Sequence, residues 1–137
     1  MSAECVFCAI VAGRLPADEV LRTDEVVAFL DRRPVFPGHV LVVPAVHVET
    51  LTELPTGDLG PYFAGVQEVA RAVEKGMAAD GTWVSMNNKV SQSVPHLHVH
   101  VVPRRRKDGL RGFYWPRLHY ADDAERAAVA ATIRAAR

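Results

Sequence analysis

The sequence predicts an α+β domain: an antiparallel sheet of about five strands, one long helix packed on it and a second helix at the C-terminus. Three observations carry that expectation. Short apolar runs bounded by Pro, Gly and polar pairs recur along the chain, as strands require. From Asp58 onward Leu59, Phe63, Val66, Val69, Val73 and Met77 recur at steps of three and four, the period of a helix with one buried stripe. The closing stretch from Asp122 to Arg137 is rich in Ala, acidic at its start and basic at its end, in keeping with the helix dipole.

Taken in order, the chain opens with Cys5-Val6-Phe7-Cys8 and a short apolar segment, Ala9 to Gly13, that stops at Arg14-Leu15-Pro16. Glu19 to Arg22 and Val26 to Asp31 read as two strands joined at Thr23-Asp24, which leaves the Asp31 carboxylate at the rim of the sheet. Pro37-Gly38 marks a turn into the strand His39 to Pro44, whose unbroken apolar run places it centrally with both faces covered. Glu49 to Leu54 gives a turn and the entry to the long helix, in which the Phe and Met are core residues; Asp80-Gly81 ends it. Thr82 to Asn87 is the next strand, and the polar loop Asn88 to Ser93 delivers the chain to Pro95-His96-Leu97-His98-Val99-His100-Val101-Val102-Pro103. Side chains on a strand alternate, so Leu97, Val99 and Val101 share one face and three imidazoles the other. Arg104-Arg105-Arg106-Lys107 reads as solvated surface, and Phe113-Tyr114-Trp115 as a pocket edge or a subunit contact.

A chain of 137 residues with 49% apolar content is the size of one domain with a real core, and no repeat or linker divides it. Zero formal charge and a pI near 7.0 exclude a nucleic-acid wrapper or a membrane-surface protein, so any phosphate recognition is local. Apolar runs fall short of the ~20 residues that span a bilayer, and Glu4 stands where a signal peptide is basic. The expected location is the cytoplasm, with neither a membrane nor a nucleic acid as partner. In that reducing compartment Cys5 and Cys8 read as a metal half-site or a redox pair. No strand precedes them, as a thioredoxin-like pair requires, so no redox cofactor is expected.

Two chemistries compete for the histidine row. In one, an imidazole attacks phosphorus while backbone N–H groups and the Ser91-Gln92-Ser93 loop hold the phosphate and neighbouring histidines manage protons. In the other, His96, His98 and His100 hold a metal that activates water. Strand spacing opposes the second, because residues i and i+4 stand ~13 Å apart. A better ion set is Cys5, Cys8, His47 and His96, two thiolates and two imidazoles in a closed, structural zinc site that pins the N-terminus to the sheet. The alternative for the cysteines is a pair of buried thiols without metal.

The run Gln92-Ser93-Val94-Pro95-His96-Leu97-His98-Val99-His100-Val101-Val102-Pro103-Arg104 resembles the signature of the histidine triad (HIT) nucleotide hydrolases and transferases. Cys5-Val6-Phe7-Cys8, Ala28-Phe29-Leu30-Asp31 and Pro37-Gly38-His39-Val40-Leu41-Val42-Val43-Pro44 with His47 resemble the same family. The resemblance implies a core over residues 4–104, a variable tail over 105–137, and a homodimer with a continuous sheet. It implies that His98 is the nucleophile, forming a covalent nucleotidyl-histidine, and that His100 and His39 orient it. Ser91, Gln92 and Ser93 match the phosphate loop, and Asn87 the phosphate-side asparagine, with Asn88 as the alternative. Asp31 matches the ribose carboxylate, and Val6, Phe7, Ile10, Phe29 and Leu30 the base slot. Cys5, Cys8, His47 and His96 match the zinc set of the Cys-x-x-Cys branch. The implied substrate is a purine nucleotide carrying an amine, a second nucleotide or a phosphate ester on its α-phosphate. Ser91 replaces a glycine and Arg32 a small apolar residue of the family pattern, and the tail from Arg105 is the candidate selector of the leaving group. The rival readings are a nucleotide-binding module with little catalysis and a metal-dependent phosphoesterase.

Overall fold

Thr23 sets the first hairpin. Its hydroxyl accepts hydrogen bonds from the Glu25 and Val26 N–H groups at 3.2 and 3.0 Å, and its own N–H donates to Val26 O at 2.8 Å. The hydroxyl thus closes the turn between β1 (Glu19–Arg22) and β2 (Val26–Leu30). The computed structural model describes residues 4–110 and 117–137, and within them β3 (Val40–Pro44), β4 (Gly81–Ser85) and β5 (Val99–Arg104) complete one antiparallel sheet. The order is β1-β2-β3-β5-β4. The expected central strand is β3, and all five of its residues are buried.

The period-two alternation divides the core between the two faces. On one, Val26, Ala28, Val40, Val42, Val99 and Val101 pack under α2 (Thr56–Gly76). The other buries Val27, Phe29, Leu41 and Val43 under Phe7 and Ile10 of α1 (Val6–Val11). Helix α2 opens before the expected Asp58 and stops short of Asp80. Its buried stripe is Tyr62, Gly65, Val66, Val69 and Val73, each buried valine contributing roughly 1.5–3 kcal/mol. Phe63, expected in the core, is 37% exposed; Tyr62 takes that place and donates its hydroxyl to Val42 O at 2.7 Å. Gly65 permits the close approach, since a Cβ there would lie 3.1 Å from the Val26 methyls.

Helix α1 is a departure, because Val6 to Val11 has no strong helix former beyond Ala9 and was expected only as an apolar segment. Burial of Phe7 and Ile10 overrides propensity, and the Cys5 thiol at the N-cap accepts from Cys8 N–H at 3.5 Å. The histidine strand also begins later than expected, at Val99. Pro44 has no N–H to donate and its carbonyl meets the His96 ring, so the β3 ladder ends at the Val42–Val99 pair. Leu97 N–H bonds instead to Val48 O at 2.8 Å.

The basic run is partly structural. Arg104 forks onto Asp108 at 2.6 and 3.1 Å, which lowers the Asp108 carboxyl to about 2. Arg105 meets Met77 O past the C-terminus of α2, and Asp80 accepts from Arg106 N–H at 2.9 Å. This turn stands roughly 20 Å along β5 from His98, at ~3.3 Å per residue. Helix α3 (Asp123–Ala135), expected at the C-terminus, is capped by Asp122 and buries none of its residues. Phe113-Tyr114-Trp115 lies outside the described residues. Among those described, no helix is long and apolar enough to cross a membrane.

Candidate active site

Each imidazole has one ring nitrogen committed to a backbone or ring partner, and that bond decides what the other can do. His96 is fully buried and donates Nε2–H to Pro44 O at 3.0 Å, leaving Nδ1 as a bare lone pair. That nitrogen lies 3.5 Å from Cys5 Sγ, 3.5 Å from Cys8 Sγ and 3.2 Å from His47 Nδ1, while Cys8 Sγ stands 3.1 Å from His47 Nδ1. The four ligand atoms lie within 4.8 Å of one another. A tetrahedral zinc site has edges of roughly 3.3 Å between nitrogens and 3.6 Å between nitrogen and sulfur, so the cluster fits the ion. The bond to Pro44 is the outer-shell contact that orients a metal-binding imidazole. Burial, and then the neighbouring Cys5, push the Cys8 thiol up to about 11, a shift that a bound cation reverses.

His98 has the opposite tautomer. Its Nδ1–H donates to His96 O at 2.7 Å, so Nε2 is the bare nitrogen. The ring packs edge-on against Phe7 with centroids 5.2 Å apart and lines a cavity of about 260 Å³. Val6, Phe7, Ile10, Phe29 and Leu30 form the apolar wall of that cavity, with Asp31, Ser93 and His100 also on its lining. All five residues expected in a base slot are therefore brought together. Arg32 and Val94 join them without having been foreseen as lining residues.

Behind His98 runs a chain of neutral rings. Val35 N–H donates to His39 Nδ1 at 3.0 Å, which forces the His39 hydrogen onto Nε2. From there it is donated to His100 Nδ1 at 2.9 Å, leaving His100 with its own hydrogen on Nε2. Burial lowers His39 against the pull of Asp31, whose Oδ2 is 3.7 Å away. Burial, with help from His98 and His39, lowers His100 to about 4. Asp31, His39 and His100 also bring three ligand-type atoms within 4.8 Å. The Val35 N–H excludes a proton from His39 Nδ1, so Nε2 keeps its hydrogen and has no lone pair for an ion. This cluster is a hydrogen-bond chain.

Ser91 and Gln92 are not on the cavity lining. Gln92 braces the loop, donating to Glu49 O at 2.6 Å and accepting from Lys89 N–H at 2.9 Å. Ser91, at φ 61°, offers its carbonyl to the Asn87 amide at 3.3 Å. Asn88 accepts from Leu51 N–H at 2.8 Å and serves structure, whereas Asn87 lines a second hollow of about 370 Å³ that also borders His39 and His100. That hollow was not foreseen. Its signal was the alternation on β4, where Trp83 and Ser85 share a face and Ser85 pairs with His100.

The family model for the HIT domain matches residues 12–107. An adenosine 5'-monophosphoramidase from Saccharomyces cerevisiae is 33% identical over 113 residues, covering 80% of this chain and 69% of that protein. The crystal structure of a HIT family member from Bacillus subtilis superposes with a TM-score of 0.88 at 34% identity, covering 96% of each chain. A zinc-bound histidine triad family protein from Mycobacterium smegmatis gives a TM-score of 0.73 at 36% identity over 97% of each chain. With its histidine row, its sheet and these likenesses in agreement, the chain belongs to the HIT domain family.

Proposed function

We propose that this protein is a nucleotide hydrolase or transferase that acts at the α-phosphate of purine nucleotides through a covalent intermediate on His98. The observation that carries the reading is the His98 Nδ1–H bond to His96 O at 2.7 Å, which in the neutral ring puts the lone pair on Nε2 of a side chain that lines the cavity. The apolar wall from Val6 to Leu30 takes the base, Asp31 the ribose hydroxyls, and Ser93 the phosphate end, with Asn87 beside His100 on its far side and Gln92 bracing the loop. In the first step the Nε2–phosphorus bond forms, the bond from phosphorus to the leaving group breaks, and the departing atom takes up a proton. Water then attacks phosphorus, releasing the nucleotide and returning the Nε2 lone pair. His100 and His39 act as positioning residues, because their chain to Val35 fixes the rings beside the nucleophile. The phosphoramidase relative supports this class of substrate.

Cys5, Cys8, His47 and His96 would hold a structural zinc ion, which when bound supplies a tetrahedral cross-link between α1 and the sheet. The zinc-bound relative supports that assignment. We read residues 1–137 as one HIT domain, with a core over 4–104 and a tail over 105–137. The exposed edge of the sheet at β4, where Val84 is 45% exposed, supports pairing with a second copy into a homodimer with a continuous sheet. Two free thiols fit a cytoplasmic location.

His98→Ala tests the function. Turnover of adenosine phosphoramidates should vanish while calorimetric affinity for AMP stays within about threefold, because Asp31 and the apolar wall do the binding. Turnover near the wild-type rate in the variant would reject the assignment.

A further inference from the structure

The cavity beside His98 carries two charged groups that the chemistry above does not use. Asp31, Ser93, His98 and His100 are taken up by the ribose and phosphorus ends, which leaves Asp18 and Arg32 on the same lining. Both are exposed, whereas Phe7, Ile10 and Phe29 are buried, so they stand at the mouth of the apolar slot. Their backbones are held in place. Leu30 N–H donates to Asp18 O at 3.0 Å, which sets Asp18 beside a wall of the slot. Arg33 N–H donates to Asp31 Oδ1 at 2.9 Å and closes the turn that carries Arg32. Among the described residues, neither the Asp18 carboxylate nor the Arg32 guanidinium has a hydrogen bond or an ion pair, with the other or with a neighbour. An acceptor and a fork of donors therefore border one slot without satisfying each other. Arg32 stands where the family pattern has a small apolar residue, so this charge is the chain's own departure.

A base lying between the apolar walls reaches Asp18 and Arg32 with the edge farthest from its sugar bond. That edge differs in sign between the two purines. Guanine presents O6 and N7 as acceptors and N1–H and N2–H as donors; adenine has an amine in place of O6, a bare N1 and no amine at C2. The guanidinium is matched by the guanine acceptors and the carboxylate by the guanine donors, in charge-assisted bonds. Adenine would set its N6–H groups against Arg32 and its N1 lone pair against Asp18.

We infer that Asp18 and Arg32 make the base slot selective for guanine over adenine, so that the substrates are guanosine nucleotides carrying an amine or another leaving group on the α-phosphate. The inference rests on the function proposed above and adds Asp18 and Arg32 as specificity-determining residues. Neither touches the reacting phosphorus.

The test measures kcat/KM for the 5'-phosphoramidates of guanosine, inosine and adenosine, together with calorimetric affinities for GMP and AMP. Wild-type enzyme should favour guanosine over adenosine by about tenfold or more, with inosine, which keeps O6 and N1–H but lacks the C2 amine, in between. GMP should bind more tightly than AMP by a similar factor. Asp18→Ala and Arg32→Leu, both at exposed positions, should each bring the guanosine to adenosine ratio within about threefold, and Asp18→Ala should erase the difference between guanosine and inosine. Turnover of guanosine and adenosine substrates at equal kcat/KM by the wild type, or a ratio that neither substitution alters, would overturn the selectivity and leave the His98 chemistry standing. Tighter binding of GMP, lost in both variants, with no turnover of any phosphoramidate would overturn the proposed function and uphold the selectivity. Equal affinity for GMP and AMP with no turnover would overturn both.

Discussion

His96 and His98 stand two residues apart, yet their rings expose opposite nitrogens. His96 donates Nε2–H to Pro44 O and turns Nδ1 to two thiols and His47. His98 donates Nδ1–H to His96 O and keeps Nε2 free on a ring that lines a cavity. Residue type and spacing are the same; the carbonyl that each ring finds is not. The first cluster gathers lone pairs of both hard and soft donors, which suits an ion. The second passes hydrogens in one direction from Val35 N–H through His39 to His100, which suits neutral rings around a phosphate. Function in a histidine row is therefore written in the second hydrogen bond of each ring.

The largest effect should separate the clusters outright. His98→Ala should cost about 10⁴-fold or more in kcat while leaving bound zinc and the unfolding temperature unchanged, measured by single-turnover kinetics, metal analysis and calorimetry. Cys8→Ser should do the reverse: zinc content and unfolding temperature fall together, and kcat per folded molecule stays within about threefold at low temperature. Equal loss of activity and stability in both variants would erase the distinction between the two sites.

Within the second cluster, His39→Ala breaks the hydrogen-bond chain at its centre and should reduce kcat by about 10²-fold with little change in KM. A matching rise in KM would make His39 a binding residue instead.

A smaller effect follows from burial of neutral rings. His100 sits at about 4 in the folded chain against 6.5 as its ordinary value, so the unfolded chain takes up the proton first as the pH falls. Stability is then lost between pH 6.5 and about 4, by on the order of 3 kcal/mol in full. Denaturant melts across that window should show the loss, and His100→Asn should flatten the part that belongs to this ring. His39 is shifted in the same direction by the same cause.

Smaller still is the turn that admits His39 to the sheet. Gly38 has φ 97°, and a Cβ there would meet the Met77 side chain at 2.7 Å. Gly38→Ala should destabilise by about 1–2 kcal/mol in urea melts, and a neutral result would show that Met77 simply swings aside.

Much of this was legible in the sequence because it depends on period. The alternation of Leu97, Val99 and Val101 with the histidines, the unbroken run of β3 and the stripe of α2 each leave a pattern that burial then fixes. The base wall and the Cys5-Cys8-His47-His96 set were legible through family resemblance, and the structure brings each set together. Helix α1 was not legible, since its six residues carry weak propensity and form only because Phe7 and Ile10 cover the sheet. Nor was the tautomer of any ring, because Pro44 O and Val35 N–H are backbone partners that no side-chain motif records. Phe63 was misplaced for a simpler reason: Tyr62, one position earlier, fits the same stripe and has a carbonyl to bond.

Rapid-quench mixing of the enzyme with a nucleotide phosphoramidate labelled at its α-phosphate bears most directly on His98. Label should appear on the protein within the first turnover, map by peptide analysis to His98, and be missing from His98→Ala. Product formed at the wild-type rate with no label ever held by the protein, or label mapping to a different residue, would contradict the account.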